Sequence, residues 1–366
     1  MSTTETNKEA YVQDETSAVN GTGPAGKRTF GQKMKRHCAR FWWLWFIVFA
    51  IVVLVIVLPI VYVGYPNKAQ SAINKAKLEP QSMALLNPAP DSFDLQLDNM
   101  FISHSGMSAH LDKFTGDLRL PDSDKAFCRI NVPSITAANG SIAHIEQRVQ
   151  IADHDQFNEY AKTVLLSDEY SIYLKGKGGF KYGSLPKTNV KYNKKITMKG
   201  LNSLKGLTVS DFTILTTSQP DGANANGTVM IPNPSVATYQ LGDVGLTMSV
   251  DGLPVGNSTL KSVLLKPGNN TFTMRATTNQ TAVVGLIFTN YKSGILPIDI
   301  VGNSSVYDGQ HLEYYEKALS SNKVQIKLDV IKALDEAGLA GLLGINTTSS
   351  SSSSSTSSAA SSATSS

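Results

Sequence analysis

The sequence predicts a mainly β fold. It reads as one N-terminal transmembrane helix followed by two tandem antiparallel β-sandwich units, each with a short helix. Three observations carry this prediction. Phe41 to Tyr65 run for twenty-five positions without a charged side chain. The chain beyond them is dominated by period-two alternation of apolar and polar residues. Two helix-then-strand segments, 154 positions apart, match one another in sequence.

The apolar run FWWLWFIVFAIVVLVIVLPIVYVGY would form a helix about 37 Å long at ~1.5 Å per residue, enough to cross a hydrocarbon core of about 30 Å. Trp42, Trp43 and Trp45 lie at one end and Tyr62 and Tyr65 at the other, matching the two headgroup zones that such rings favour. A cleaved signal peptide has a shorter apolar stretch and a small-residue cleavage site, so an uncleaved span fits better. Lys27, Arg28, Lys33, Lys35, Arg36 and Arg40 precede the run, whereas only Lys68, Lys75 and Lys77 follow closely. The positive-inside bias therefore places the N-terminus in the cytosol and residues 66–366 in a lumen or outside the cell. Asn-x-Ser/Thr acceptors agree: Asn139, Asn226, Asn257, Asn269, Asn279, Asn303 and Asn346 follow the span, and Asn20 alone precedes it.

Cys38 and Cys128 are the two cysteines, and this topology puts a bilayer between them. The ectodomain must then hold together by its hydrophobic core rather than by a disulfide. Cys38, beside Arg36 and Arg40, is a candidate for palmitoylation, with a plain reduced thiol as the simpler reading.

Along the chain, residues 1–40 read as a disordered cytosolic tail with a basic juxtamembrane segment, 41–65 as the span and 66–87 as a linker. The two sandwich units occupy 88–190 and 195–336. A Ser-rich tail at 346–366 reads as disordered, without the hydrophobic end of a lipid-anchor signal. Alternation is clear at Phe93, Leu95 and Leu97, at Tyr170, Ile172 and Leu174, at Leu246, Met248 and Val250, at Phe272, Met274 and Ala276, and at Val324, Ile326, Leu328 and Val330. Turn-forming clusters at 224–227, 232–234, 252–254 and 267–270 separate such runs, as in antiparallel sandwiches. Helices are predicted at 153–166, capped by Asp153, and at 308–319. Aligning QFNEYAKTVLLSDEYSIYLKG from Gln156 with QHLEYYEKALSSNKVQIKLDV from Gln310 gives seven identities in twenty-one positions without a gap, hence two copies of one unit.

The segments IPNPS (231–235), YQLGDVGLTMSVDGLPVGNSTL, LKPGNNTF (265–272), VKYNKKITMKGLNSLKG and IADHDQFNEY together resemble a fungal family of single-pass membrane proteins. The resemblance covers about residues 40–336. The ectodomain of that family is a domain of unknown function, similar to the late-embryogenesis-abundant group 2 (water-stress and hypersensitive-response) β-sandwich. One relative is similar to a vacuolar-membrane protein that helps end starvation-induced autophagy. The resemblance implies no catalytic residues. Independently of it, Pro232 and Pro234 remove backbone donors and suit an edge strand, and Pro267-Gly268 suits a tight turn.

Chemistry-bearing motifs are scarce. His37, His104, His110, His144, His154 and His311 form no zinc-type pair, and His104 and His110 would lie about 20 Å apart on one extended strand. There is no Gly-x-Ser-x-Gly elbow, and GKGG (176–179) lacks the phosphate-loop spacing and reads as a turn. Enzyme activity, a catalytic or metal site and a cofactor are not expected. One electrostatic feature stands out. Between Tyr170 and Ser210 there is no Asp or Glu, while Lys175, Lys177, Lys181, Lys187, Lys191, Lys194, Lys195, Lys199 and Lys205 occur among Tyr173, Phe180, Tyr182 and Tyr192.

Candidate contacts to an anionic headgroup are Lys175, Lys177, Lys181, Lys191, Lys194 and Lys195, with a solvated linker as the plainer reading. The inferred topology keeps this stretch from nucleic acid. The function expected is non-enzymatic: a luminal or extracellular ectodomain that binds lipid, a membrane surface or a partner protein, with the vacuolar membrane favoured over the plasma membrane. Its sheets would splay to admit an acyl chain while the lysine stretch holds the headgroup. The rivals are a sensor-adaptor using Ser2, Thr3, Thr4 and Thr16 of the cytosolic tail, and a cell-surface protein tied to the wall through its Ser-rich end.

Overall fold

The computed structural model describes residues 30–103, 108–217, 219–339 and 341, with side chains from residue 42 onward. Cys38, Asn346, His104, the phosphorylatable residues of the N-terminal tail, residues 1–29 and the Ser-rich tail therefore lie outside the described residues or side chains, whereas residues 30–40, expected to be disordered, are helical because the helix of the apolar run extends back to Phe30. The chain divides into two units, Met1–Ile60 and Val61–Ser366.

In the first unit, helix α1 spans Phe30–Pro59. Every described large apolar side chain from Trp42 to Leu58 is exposed, and the most apolar 18-residue window has a mean hydropathy of 3.3. So much continuous exposed apolar surface is untenable in water and fits a membrane span or signal-anchor. Pro59 lacks a donor for the preceding turn, and the helical bonding shifts there to a π-helical stretch, Ile60–Gly64.

The second unit is mainly β. It opens with helix α2 (Tyr65–Lys75) and strands β1 (Lys77–Ala89), β2 (Ser92–Ile102), β3 (Ala109–Leu111), β4 (Phe114–Arg119), β5 (Ala126–Val132), β6 (Ile135–Ala137) and β7 (Ser141–Gln150). Helix α3 (His154–Leu166) leads into the hairpin of β8 (Glu169–Lys181) and β9 (Thr188–Lys199). Then come β10 (Thr208–Ile214), β11 (Ala225–Asn233), β12 (Ala237–Val250), β13 (Leu253–Leu265) and β14 (Gly268–Thr278). The remainder comprises α4 (Gln280–Thr289), β15 (Ile295–Tyr307), β16 (Gln310–His311), α5 (Glu313–Ser320), β17 (Lys323–Asp329) and α6 (Val330–Glu336).

These strands make two sheets in a sandwich-like arrangement. The larger has the order β10-β11-β14-β13-β12-β1-β2-β7, with β15 beside β12, and β16 and β17 beside β15. The smaller runs β5-β4-β8-β3-β6, with β9 beside β8. Strand β12 is the spine. Its first residues pair in parallel with β1 (Met83 opposite Ala237, Leu85 opposite Tyr239), and from Asp243 onward the same edge pairs with β15. Gly242, at φ +74°, sits between these two stretches. A Cβ there would come 2.2 Å from the Val306 carbonyl oxygen, so only glycine allows the change of partner.

The structure departs from the sequence reading at several places. The stretch 190–195, expected to separate two sandwich units, lies inside β9, and the larger sheet runs through both halves of the chain. The expected linker 66–87 is α2 followed by most of β1. Alternation tells which face of a strand is buried but not which strand it pairs with, so these junctions were hidden. GKGG is not a turn: Gly176–Gly179 continue β8, because Phe114 stacks on Tyr192 (centroids 4.1 Å apart) directly over them. A Cβ on Gly176 would meet the Phe114 ring at 2.8 Å. The helix expected from Asp308 begins only at Glu313. Asp308 (φ 49°) and Gly309 (φ 73°) instead form the tight turn between β15 and β16, as an Asp-Gly pair favours. The helix at 153–166 is present, and the Asp153 carboxylate accepts the Gln156 N–H at 3.0 Å. The paired repeat helices pack on each other, with Phe157 of α3 edge-on to Tyr314 of α5 at 4.9 Å.

IPNPS acquires a physical account. Pro232 lies beyond Met230, where pairing with β10 ends, so its missing donor costs no bond on that side. Asn233 is only 2% exposed and fully used. Its Nδ2 donates to the carbonyls of Ala237 (2.7 Å) and Leu265 (3.3 Å), and its Oδ1 accepts from the Ser235 N–H (3.0 Å) and hydroxyl (2.7 Å). It ties the ends of β11 and β13 to the start of β12. Replacement by alanine strands several buried groups, each worth about 1–3 kcal/mol. Asn233→Ala should therefore destabilise the ectodomain by about 3 kcal/mol or more, measured by denaturant unfolding.

His144 gives a pH signature. Its Nδ1 lies 2.7 Å from Asp98, which also accepts from Ser82 at 2.8 Å. The hydrogen bond to Asp98 raises the His144 pKa, while His144 first and Ser82 second lower that of Asp98. The histidine's contribution is complete below about pH 6.5, its unfolded value, and is lost as pH rises through the raised folded value. The carboxylate's contribution is present above about pH 4 and is lost as pH falls through its depressed value. The wild-type melting temperature should thus drift down from pH 6 to pH 8, and His144→Gln should flatten that drift in a thermal-melt series.

Candidate lipid-facing site

The β8–β9 hairpin gathers the lysines that the sequence singles out, but it does not use them alike. In its register, Lys177 stands directly opposite Lys191, Lys175 opposite Asn193, Tyr173 opposite Lys195 and Glu169 opposite Lys199. These side chains share the outer face of the smaller sheet, because Ile172, Leu174, Tyr192, Ile196 and Met198 take the inner one. Across β8, Asp117 of β4 pairs with Lys175, and Asp117 in turn binds Arg119 at 2.8 Å and Arg129 at 3.1 Å. Arg119 first, then Arg129, hold the Asp117 carboxyl below the usual range. Lys175 reaches Asp124 at 3.8 Å, and Lys187 pairs with Asp112.

Among the described residues, Lys177, Lys191 and Lys195 have no carboxylate partner. Lys181 is also exposed and lies at the hairpin tip opposite His110. Like charges placed directly opposite across a ladder are destabilising, so the Lys177–Lys191 pair costs stability until an anion lies over it.

Lys194 is a correction to the headgroup set. It points inward, is 6% exposed, and donates from Nζ to the carbonyls of Asn74 (3.1 Å) and Ala76 at the C-terminal end of α2. Desolvation lowers its pKa. Strand alternation places odd-numbered lysines of β9 outside and Lys194 inside, which only the strand's extent could reveal.

Three further contacts fix α2 against the hairpin. Tyr65, at the end of the apolar run, accepts the Tyr182 N–H at 3.0 Å. The Gln70 amide both donates to the Lys191 carbonyl and accepts its N–H, each at 2.8 Å, taking the place of a neighbouring strand along the free edge of β9. Ala69, Ile73 and Ala76 bury against Phe101, Phe180, Val190 and Tyr192. None of these α2 residues carries a motif, and sequence reasoning missed them.

The sequons segregate. Asn257 and Asn303 are exposed on the outer face of the larger sheet, and Asn303 donates to Thr247 beside them at 2.8 Å. Asn139, Asn269 and Asn279 are exposed at turns or element ends, while Asn226 is half-buried with its Oδ1 enclosed. No sequon falls within a strand of the smaller sheet. Cys128 is buried, and burial pushes its thiol pKa up, away from reactivity. Among the described residues no group of three His, Cys, Asp or Glu side chains is placed to hold a metal ion.

Residues 125–248 match a family model described as a protein of unknown function, DUF3712. The match runs from the start of β5 into β12, and so takes in the lysine hairpin and Asn233. No curated protein matches the sequence. Among solved structures, the chain has 13% identity to the crystal structure of red sea bream transglutaminase, over 69% of this chain and 31% of that one, at a TM-score of 0.22. At that score the similarity carries no argument about activity.

Proposed function

We propose that this is a non-enzymatic, single-pass membrane protein whose ectodomain, on the luminal or extracellular side, engages anionic lipid at a membrane surface through the lysine face of β8 and β9. The observation that carries the reading is the Lys177–Lys191–Lys195 face, without a carboxylate partner among the described residues, on a hairpin bonded to Tyr65 at the end of the apolar run. Tyr65 ends the apolar run, so the chain itself tethers that hairpin to the span. A ladder of cations there meets headgroups without a long reach, each lysine contributing about 1 kcal/mol near a negatively charged surface. The absence of sequons from this sheet leaves the face uncovered, while glycans on Asn257 and Asn303 would cover the outer face of the other sheet. Among membranes of the secretory pathway the vacuolar one is favoured, on the family resemblance.

Two experiments test this. Co-sedimentation of the ectodomain with vesicles containing about one-third phosphatidylserine should show salt-sensitive binding. Lys177→Gln with Lys191→Gln should weaken it about 30-fold, from two contributions of about 1 kcal/mol. Undiminished binding by the double variant would remove the proposal. For topology, glycopeptide mapping should find Asn257 and Asn303 occupied and Asn226 mostly bare; a chain with no glycan on any of them would contradict the assigned side.

A further inference from the structure

Between the inner faces of β2 and of β8 and β9 lies a cavity of about 90 Å³. Its walls are almost entirely aliphatic and aromatic, among them Leu95, Leu97, Leu118 and Leu174. Besides the Tyr160 hydroxyl and the Cys128 thiol, three polar side chains interrupt them: Asn99, Tyr192 and Lys194. All are more than nine-tenths buried, at 5%, 7% and 6% exposure. Asn99 Oδ1 and the Tyr192 hydroxyl have no hydrogen-bond partner in the protein. Lys194 meets only the two carbonyls of α2 and, among the described residues, no carboxylate. Burial pushes the Tyr192 pKa up to about 12, so its hydroxyl stays protonated and able to donate. An unpartnered buried polar atom is costly, and a fold that keeps two in the lining of a cavity that also holds an ammonium without a carboxylate has something to place against them.

We propose that the interior of this sandwich binds a single-chain anionic amphiphile, its acid group held by Lys194, Tyr192 and Asn99 and its chain running between Leu97, Leu95 and Leu118. The inference rests on the lipid-engaging reading above, but on inward side chains that the surface reading does not use. Lys194 and Tyr192 donate to the acid oxygens, and the Asn99 amide offers an oxygen or, turned over, an N–H. The cavity, at about 90 Å³, is smaller than the ~300 Å³ of small ligand pockets, so the chain enters as the sheets part.

The seam is built for that. Apart from a bridge between Cys128 and Ile151, the β5–β7 side is held by the Gln147 side chain bonded to the Asn131 N–H (3.0 Å) and carbonyl (3.1 Å). The other side is held by α2, through Tyr65 and Gln70 and through its last carbonyls, which accept from Lys194 of β9, and no backbone ladder fixes it. Ile73 of α2 lines the same cavity, so withdrawal of α2 opens the chamber and frees the Lys194 ammonium together.

The test uses the full chain in lipid nanodiscs with two photoactivatable probes, a palmitate and a lysophosphatidic acid, and maps the adducts by peptide mass spectrometry. Adducts on β2, β4 or β8 are expected, and the probe that gives them identifies a carboxylate or a phosphate as the head group. Lys194→Met should cut interior labelling about tenfold, the worth of one charge-assisted hydrogen bond. Tyr192→Phe, which removes an unpartnered hydroxyl, should lower labelling while leaving the melting temperature unchanged or higher, an effect that a merely structural role would not give. Lys177→Gln with Lys191→Gln should label inside as the wild type does. Adducts confined to residues 42–58, as expected if the cavity holds water only, or unchanged labelling in both interior variants, would overturn the proposal. Loss of vesicle binding in the surface double variant would still stand on its own in that case.

Discussion

The arrangement of the ectodomain depends on how the free edge of β9 and the end of α2 satisfy one another. A strand edge and a helix C-terminus each leave carbonyls without partners, and burying either one costs free energy. Here the two needs are met by side chains. Gln70 takes the place of a strand opposite Lys191, and Lys194 reaches from the interior to the last carbonyls of the helix. This junction seals one side of the sandwich. It also fixes the hairpin with the exposed lysines beside Tyr65, and leaves an ammonium facing an apolar chamber.

The two proposals follow from the two faces of one strand. Odd-numbered residues of β9 put Lys191 and Lys195 on the outside, and even-numbered ones put Tyr192 and Lys194 within. The outer face repels itself and suits a dense array of negative headgroups. The inner face is apolar except for a few polar groups, two of which lack partners. An amphiphile's acid and chain meet the same division of chemistry.

Strand β12 gives the remainder its coherence. It extends the N-terminal half of the larger sheet for three residues and then, past Gly242, becomes the centre of the C-terminal half. Asn233 fixes where it begins. The repeat helices α3 and α5, visible in the sequence as a 154-residue offset, meet across these halves through Phe157 and Tyr314.

By itself the sequence determined the apolar helix, the β-rich class, most strand faces, the Asp153 cap and the concentration of lysines between Tyr170 and Ser210. These follow from local composition and from periods of 2 and 3.6 residues, which a chain carries whatever its partners. Tertiary structure alone decided that the 190–195 stretch is a strand rather than a break, that GKGG stays extended beneath Phe114, and that Lys194 turns inward while its neighbours face out. Pairing partners, register and the approach of α2 are contacts between residues far apart in the chain, and one strand's pattern is silent about them.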